Sequence, residues 1–409
     1  AQVYEYLKHP ADYGITAEGS VKPDFGAIIA RSRAVAEGMS KGVQYLFRKN
    51  KIDQLTGKGR LAGNGMVEVV DAAGEKKQYS AKNIILATGA RSKELPGLKQ
   101  DGRKIIGYRE AMSLEKQPES MVIVGSGAIG SEFACFYQTL GTSVTLVEFL
   151  PRIVPNEDEE VSKYLERSFK KMGMKIMTGS SVESAEIAGE KCLARIRTPK
   201  GEETVETDII FSAVGVTPNL EDLGLETAGV GTDRGKVIVD EYYRTPVPGI
   251  FAIGDIVHGP ALAHVASAEG IICVEKIAGL NPEPLDYRNI PACTYTSPEI
   301  ASCGYTEAAA KEAGFDIKVG KFPFTASGKA SAAGQKEGFV KLVFDAAYGE
   351  LLGAHMIGAN VTEMISEIVV ARKLETTAHE LMKSVHPHPT MSEAIAEAAA
   401  AAYDEVIHL

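Results

Sequence analysis

The segment from Ser120 to Phe149, SMVIVGSGAIGSEFACFYQTLGTSVTLVEF, restricts the fold of this chain more than any other feature. A short apolar run is followed by a glycine-rich turn, by an apolar stretch with helical spacing, and by a second apolar run. This order predicts a strand, a helix and a second strand, which together make a βαβ unit. The chain is therefore expected to have an α/β fold that contains a parallel sheet.

Gly125, Gly127 and Gly130 form the pattern GxGxxG directly after the first strand, and Glu148 closes the second strand. The first glycine permits a tight turn, the second lets the backbone approach a pyrophosphate, and the third lets the helix pack on the strand. A carboxylate at Glu148 would accept hydrogen bonds from a ribose diol and repel a 2′-phosphate. We therefore predict an NAD site, with glycines that serve only a turn as the alternative.

Two further segments, Asn83–Ala90 (NIILATGA) and Asp208–Gly215 (DIIFSAVG), are predicted to be apolar strands that end in small-residue turns. The second is expected to close the unit begun at Gly125, whereas the first has no glycine-rich partner in these 409 residues. The segment GIFAIGD would deliver Asp255 at the carboxyl end of a buried strand, where open α/β sheets bind ligands. A plain turn is an equal alternative for that segment.

Composition excludes several classes of function. The chain is 44% hydrophobic and 24% charged, as is typical of a globular protein, and its net charge of -10 offers no basic surface for nucleic acid or an anionic membrane. No apolar run reaches the roughly 18 residues that span a bilayer. The five cysteines form no close pair and are expected to be small buried residues in a reducing compartment. They are Cys135, Cys192, Cys273, Cys293 and Cys303.

The stretch from Ser384 to Glu397, SVHPHPTMSEAIAE, places His388 five residues before Glu393. A histidine beside a carboxylate can be a tuned base. The residues Thr390-Met-Ser-Glu393 also fit the S/T-x-x-E pattern of a capping box, which would open the following helix. Spacing alone favours the cap, and the two roles are compatible.

The order of these motifs resembles that of the pyridine nucleotide-disulfide oxidoreductases over essentially the whole chain. The motifs are ATGA, GSGAIGSE with Glu148, AVGVTPN, FAIGD, YTSPEIASCG and HPHPTMSE. The pattern HxHPTxSE is similar to that of the dihydrolipoamide dehydrogenases, the flavoproteins of 2-oxoacid dehydrogenase complexes, rather than to that of the glutathione reductases. The chain ends in EVIHL and so lacks the terminal cysteine pair of the mercuric reductases.

The resemblance implies two Rossmann-like nucleotide-binding domains, with the FAD part incomplete, and an α+β C-terminal dimerisation domain. The expected boundaries are 1–115 for the remainder of the FAD-binding domain, 116–245 for the NAD-binding domain, 246–286 for a return segment of the FAD domain and 287–409 for the interface domain. The family's initial FAD-binding GxGxxG and its redox-active CxxxxC do not occur in these residues. We therefore expect an N-terminally truncated enzyme that is inactive alone.

The resemblance also implies a reaction, in which NAD+ oxidises dihydrolipoyl groups of 2-oxoacid dehydrogenase or glycine cleavage complexes through a disulfide and FAD. His388 would be the base, Glu393 would hold its tautomer, and His386 would have a structural role. The residues implied for NAD are Gly125, Ser126, Gly127, Ala128, Ile129, Gly130, Ser131, Glu132, Glu148, Val182 and Gly215. The residues implied for FAD are Gly59, Thr88, Gly89, Ala90, Asp255, Ala261, Leu262, Ala263 and His264.

The implied partners are a second copy of the chain, because the base would serve the disulfide of the other subunit, and the lipoyl domains of acyltransferase subunits. No nucleic acid, membrane or metal is expected, and the expected location is the bacterial cytoplasm, with the mitochondrial matrix as an alternative. Two other functions stay open: a disulfide-free flavoprotein such as a soluble pyridine nucleotide transhydrogenase, and a non-enzymatic truncated dimer module. The pair of His388 and Glu393 argues against the transhydrogenase, in which a thiol base has no task.

Overall fold

The computed structural model describes residues 2–16 and 18–409, whose contacts divide the chain into two units. The first unit combines the start of the chain through Ala30 with Lys93–Gly215 and Arg288–Leu409. The second combines Arg31–Ser92 with Val216–Tyr287. Each unit is thus assembled from separate stretches of sequence. The domain boundaries expected from the sequence remain predictions.

A five-stranded parallel sheet forms the centre of the first unit's nucleotide-binding part. Its strands, in spatial order, are Ile105–Ile106, Ile209–Ser212, Ser120–Val124, Ser143–Val147 and Lys175–Met177. Met121, Val122 and Ile123 are fully buried, as expected for a parallel strand that is covered on both faces. The predicted α/β class is confirmed, and Ile209–Ser212 does close the unit that Gly125 opens.

Two antiparallel sheets complete the first unit. The three-stranded sheet consists of Ser181–Ala188, Lys191–Thr198 and Gly201–Thr207. The C-terminal sheet has the order Ala292–Thr294, Glu299–Gly304, Leu351–Gly358, Gly338–Asp345 and Ile317–Pro323. All residues of its two central strands are buried, because helices pack against this sheet.

The helices of the first unit carry recognisable end signals. In Glu159–Lys171, the N-cap Asp158 accepts a hydrogen bond from the Glu160 N–H, and acidic residues begin the helix while lysines end it, as the helix dipole favours. The other α-helices are Gln2–Lys8, Tyr108–Ala111, Ala128–Leu140, Glu307–Glu312, Gly328–Ala332, Val361–Lys373, Ala378–Lys383 and Glu393–Ala401, with 3-10 turns at Pro10–Tyr13 and Phe324–Ala326. A further 3-10 turn, Tyr287–Asn289, lies where the chain passes from the second unit to the first. The helix Phe25–Lys49 runs from the first unit into the second. In the part of the chain that the structure describes, no helix is both long and apolar enough to cross a membrane.

The second unit is built around small sheets. A three-stranded antiparallel sheet consists of Lys58–Gly63, Met66–Val70 and Lys76–Ser80. The remaining strand pairs are Ile84–Leu86 with Ile250–Ala252, which is parallel, and Ala90–Ser92 with Val216–Pro218 and Thr232–Asp233 with Lys236–Val237, which are antiparallel. Its helices are Leu225–Ala228, the 3-10 turn Gly254–Ile256 and Ala263–Ile277.

A buried ion-pair network lies within the first unit. The side chain of Lys341, 2% exposed, contacts Asp158 at 3.1 Å, Glu160 at 3.2 Å and Glu307 at 2.8 Å. Asp158 is itself 3% exposed and Glu160 and Glu307 are partly exposed, so the single ammonium is surrounded by three carboxylates. These contacts connect the helices Glu159–Lys171 and Glu307–Glu312 to the C-terminal sheet.

Candidate functional site

The glycine-rich turn has a geometry that requires glycine at two of its positions. Gly125 has φ +96°, and a Cβ there would lie 2.5 Å from the carbonyl oxygen of Ala213. A Cβ on Gly130 would lie 1.9 Å from the carbonyl oxygen of Gly125. Gly127, by contrast, has no atom within 4 Å of a Cβ position and caps the helix Ala128–Leu140. The open space therefore lies at the N-terminus of the helix, where unpaired N–H groups attract phosphate oxygens.

Glu148 lies at the end of the neighbouring strand and faces the same turn. Its carboxylate accepts hydrogen bonds from the Ser126 N–H at 2.8 Å, the Ser126 hydroxyl at 2.6 Å and the Leu150 N–H at 2.8 Å. These donors hold a buried carboxylate beside the glycine turn, with lone pairs left to accept hydrogen bonds from ribose hydroxyls. The turn, the helix N-terminus and the acid therefore fit a dinucleotide that carries no 2′-phosphate.

The other residues expected at the NAD site have more varied surroundings. The Glu132 carboxylate accepts a hydrogen bond from the Tyr295 N–H at 2.9 Å, and burial raises the pKa of Glu132. Val182 is buried in a core with Val124 and Val147 and pairs with Ile196 in the antiparallel sheet, so its side chain does not face open space. Gly215 has φ +102° and open space at its Cβ position. The residues Ser126, Ala128, Ile129 and Ser131 belong to the turn and the first helical turn.

In the second unit, the parallel pair of strands Ile84–Leu86 and Ile250–Ala252 brings together two of the segments expected at FAD. Thr88 and Gly89 follow the first strand, and Asp255 follows the second within a 3-10 turn. The Thr88 hydroxyl donates to the Asn219 carbonyl at 2.7 Å, and the Asn219 amide donates back to the Thr88 carbonyl at 3.0 Å. Gly89 has φ +66° and open space at its Cβ position, which leaves room for a ligand at this strand end.

The remaining residues expected at FAD lie on other elements of the second unit. The segment from Ala261 to His264 forms the start of the helix Ala263–Ile277, with Leu262 as its N-cap, and Ala90 begins the short strand after Gly89. Gly59 lies on the three-stranded antiparallel sheet, opposite Val69, rather than on the parallel pair. The strand ends and the helix N-terminus suit a phosphate-bearing cofactor, whereas nothing in the geometry ties Gly59 to them.

Sequence reasoning missed Glu269, which organises the turn at Asp255. Its carboxylate accepts hydrogen bonds from the Gly254 N–H at 2.5 Å and the Tyr287 hydroxyl at 2.6 Å. Burial raises the pKa of Glu269, against the effect of these two donors. The available signal was spacing: Glu269 lies four residues from both Val265 and Cys273, on the buried stripe of its helix, and a buried charge needs partners.

His388 and Glu393 are in direct contact. Nδ1 of His388 lies 2.8 Å from Oε1 of Glu393, and the imidazole is 77% exposed. A carboxylate accepts hydrogen bonds, so Nδ1 carries the proton, and the neutral ring then has a lone pair on Nε2. Within residues 2–16 and 18–409, Nε2 has no hydrogen-bond partner. The pair therefore presents a base to whatever covers this surface.

The capping box expected at Thr390 is only half formed. Oε2 of Glu393 accepts the Thr390 N–H at 2.8 Å, but the Thr390 hydroxyl donates to the Pro387 carbonyl at 2.8 Å. The helix begins at Glu393 with Ser392 as its N-cap, two residues later than a box on Thr390 predicts. Burial opposes ionisation of Glu393, but the donors Thr390 and His388 outweigh it and lower the pKa of this carboxyl. Glu393 thus serves the backbone and the histidine at once.

None of the five cysteines forms a disulfide, and all are buried or half-buried. Burial raises the pKa of the thiols of Cys135 and Cys192, and raises it to about 11 for Cys273 and Cys293. A raised pKa disfavours the thiolate, which is the nucleophilic form. These cysteines are therefore structural residues, as the sequence suggested.

Two family models match nearly the whole chain. The model described as pyridine nucleotide-disulphide oxidoreductase matches residues 4–270, and the model of that family's dimerisation domain matches residues 290–399. The chain is 47% identical to a dihydrolipoyl dehydrogenase of Rhizobium etli and 46% identical to one of Zymomonas mobilis. Both alignments cover 100% of this chain and 88% of the relative.

Solved structures agree with this relationship. LpdA from Mycobacterium tuberculosis superposes with a TM-score of 0.90 at 28% identity, over 97% of this chain and 86% of that one. The flavoprotein disulfide reductase RclA from Escherichia coli has a TM-score of 0.84 at 23% identity, over 97% and 88%, which shows the shared fold alone. The resemblance expected from the motif order is confirmed, as are the FAD- and NAD-dependent oxidoreductase class and the presence of a dimerisation domain. This chain belongs to the pyridine nucleotide-disulphide oxidoreductase family and, within it, to the dihydrolipoyl dehydrogenases.

Proposed function

We propose that this protein oxidises dihydrolipoyl groups with NAD+, and that His388 is the base that takes the thiol proton. The observation that carries the proposal is the 2.8 Å contact between Nδ1 of His388 and Glu393. This contact leaves the lone pair of Nε2 available on an exposed imidazole. A free thiol has a pKa of about 8.5 and is mostly protonated near neutrality, whereas thiol-disulfide exchange needs the thiolate. A base beside the dithiol therefore raises the fraction of the substrate thiol that is present as thiolate.

Glu393 fixes the tautomer of His388 and stabilises the imidazolium that forms when the proton is taken. Each oxygen of this carboxylate accepts one bond, from His388 Nδ1 and from the Thr390 N–H, so the geometry allows little rotation. The residues of the glycine turn and Glu148 would hold NAD, and Thr88, Gly89 and Asp255 with the segment Ala261–His264 would hold FAD. FAD, when bound, supplies the transfer of two electrons between the thiol pair and NAD+.

The partners follow from the family and from the exposure of His388. The dimerisation domain supports a homodimer in which His388 of one subunit serves the thiol pair of the other. The name of the relatives, dihydrolipoyl dehydrogenase, supports a dihydrolipoyl group as the substrate that reaches this site. Lipoyl domains of acyltransferase subunits, the partners expected from the family resemblance, would carry that group. The bacterial sources of those relatives support a location in the bacterial cytoplasm.

The test uses the native holoenzyme and follows dihydrolipoamide-dependent reduction of NAD+. His388→Gln is expected to lower kcat roughly 10²–10⁴-fold, which is the usual range for general base catalysis. In Glu393→Gln, the amide oxygen can still accept the Thr390 N–H, but the NH2 group then faces Nδ1 of His388. Because NH2 is a donor, Nδ1 must accept, and the ring proton moves to Nε2. A similar loss of kcat is therefore expected with the helix start preserved.

Three results would contradict the proposal. Parental kcat in Glu393→Gln with a lowered Tm would mean that Glu393 serves only the helix. A transhydrogenase would be favoured if the parent did not oxidise dihydrolipoamide but reduced an NAD+ analogue with NADPH, and if His388→Gln kept that activity unchanged. Absence of flavin and of both activities in the native dimer would favour a non-enzymatic module.

A further inference from the structure

A second carboxylate and imidazole pair lies two residues before His388. Nε2 of His386 is 2.8 Å from Oε1 of Glu367, on the helix Val361–Lys373, and Nδ1 is 3.1 Å from the carbonyl oxygen of Ser384. The His386 side chain is 9% exposed, in contrast to the 77% of His388. The two histidines therefore have different surroundings despite their proximity in the chain.

The acceptors determine where the protons are. A carbonyl oxygen can only accept, so Nδ1 of His386 carries a proton, and a carboxylate also accepts, so Nε2 carries one as well. His386 is then an imidazolium with both protons engaged. His388 has one acceptor, Glu393, so its contacts require a proton on Nδ1 alone. The Glu367 hydrogen bond raises the pKa of His386, with burial opposing and the charges of Glu367 and Glu393 assisting.

We propose that Glu367 keeps His386 protonated at neutral pH, and that this positive charge tunes the neighbouring base His388. The inference rests on the proposed function and adds a positioning residue pair to it. When the free enzyme gains a proton on Nε2 of His388, two positive rings act on the same carboxyl of Glu393, so His386 is expected to resist that protonation and to keep the base available at lower pH. When His388 takes the proton of a substrate thiol, the thiolate that remains is attracted by both imidazolium rings.

In the described residues, two carboxylates and one backbone carbonyl act on His386. The carboxylates are Glu367 on the helix Val361–Lys373 and Glu393 at the start of the last helix, and the carbonyl is that of Ser384 on its own segment. Glu393 also responds to His386, whose charge is among the influences that lower the pKa of Glu393. Glu367, His386, Glu393 and His388 thus influence one another electrostatically. Removal of the Glu367 charge is expected to change the protonation of His388 although the two side chains are not in contact.

The discriminating variant is Glu367→Gln, because glutamine keeps a hydrogen bond to Nε2 of His386 while it removes the negative charge. A neutral His386 would let His388 protonate more readily, so the acid limb of the kcat/KM profile should move up by about half a pH unit or more, the order of a screened interaction between close charges. Glu397→Gln is the matched control, because it removes the same charge from a 2.7 Å pair with His408. Its profile should stay at the parental pH.

A second measurement reads the protonation state without turnover. In the ¹⁵N-histidine-labelled holoenzyme, the His386 signals are assigned as those lost in His386→Gln. Both ring nitrogens of His386 should have imidazolium shifts at pH 7, and this state should be lost in Glu367→Gln. A neutral His386 at pH 7 in the parent, or an acid limb that does not move in Glu367→Gln, would overturn the inference. Parental activity in His388→Gln would refute the proposed function instead, so the two failures are distinguishable.

Discussion

The glycine turn permits a prediction in which two substitutions of the same kind affect different properties, stability in one case and NAD affinity in the other. In Gly130→Ala, the new Cβ would lie 1.9 Å from the Gly125 carbonyl oxygen, and Cβ contacts under 3.0 Å essentially do not occur. The helix Ala128–Leu140 must therefore move by about 1 Å from its strand, and such overpacking costs about 1–3 kcal/mol. Alanine regains up to about 1 kcal/mol from helix propensity. A net loss of about 1–2 kcal/mol of unfolding free energy is expected.

Gly127→Ala is the matched substitution three residues earlier. Its Cβ would meet no atom within 4 Å, and the backbone at φ -62° suits any residue. The poorer N-cap and the reduced entropy of the unfolded chain are each worth about 0.5–1 kcal/mol and oppose one another, so stability should change little. The methyl group, however, occupies the open space in front of the helix N-terminus. NAD affinity should therefore fall by tenfold or more, about 1.4 kcal/mol.

Urea unfolding measures the first effect, and titration of the intact protein with NADH, followed by nicotinamide fluorescence, measures the second. The expected pattern is a destabilised Gly130→Ala and a Gly127→Ala that is stable but binds NADH weakly. Equal stability losses in both variants, or parental NADH affinity in Gly127→Ala, would refute the assignment of packing to one glycine and ligand approach to the other.

Three further predictions concern buried charges. Lys341→Met leaves Asp158 buried without its cation, so a loss of roughly 3 kcal/mol is expected in urea unfolding, and a loss below 1 kcal/mol would contradict a net stabilising role. Burial, assisted by the charge of Asp158, raises the pKa of Glu157 from 4.5 to about 7. Between these pH values the folded protein retains a proton that the unfolded chain releases. Stability therefore falls as pH rises from about 4.5 to 7. Glu157→Gln should flatten this dependence of Tm on pH, and an unchanged slope would exclude Glu157 as its source. Glu148→Gln removes the charge that repels a 2′-phosphate, so the preference for NADH over NADPH should fall by about tenfold in a fluorescence titration, and an unchanged ratio would assign that preference to other residues.

Features that depend on neighbours in sequence were predictable. The strand before Gly125, the turn, the helix and the strand before Glu148 follow from local patterns, because turn chemistry and burial act over a few residues. The contact of His388 with Glu393 spans five residues and was likewise within reach of a motif. Local reasoning failed at Thr390, where the choice between the helix and the Pro387 carbonyl depends on the path of the preceding loop.

Pairs that depend on tertiary packing left no signal in the sequence. Glu367 and His386 are 19 residues apart, and Lys341 and Asp158 are 183 residues apart. Nothing in a single sequence joins such positions, because each residue alone is compatible with a solvated surface. In the sequence, Lys341 cannot be distinguished from an exposed charge on a strand. Its burial follows only from the packing of the helix that begins after Asp158.

The discontinuous units have a consequence for the order in which the protein can be made. The chain changes unit after Ala30, Ser92, Gly215 and Tyr287, so the first unit is complete only after the segment Arg288–Leu409 has been synthesised. Asp158 is then synthesised long before Lys341, the cation that it will be buried against. During that interval we expect the Asp158 carboxylate to stay hydrated. Its charge should disfavour aggregation of the nascent chain through the surface that will later be buried.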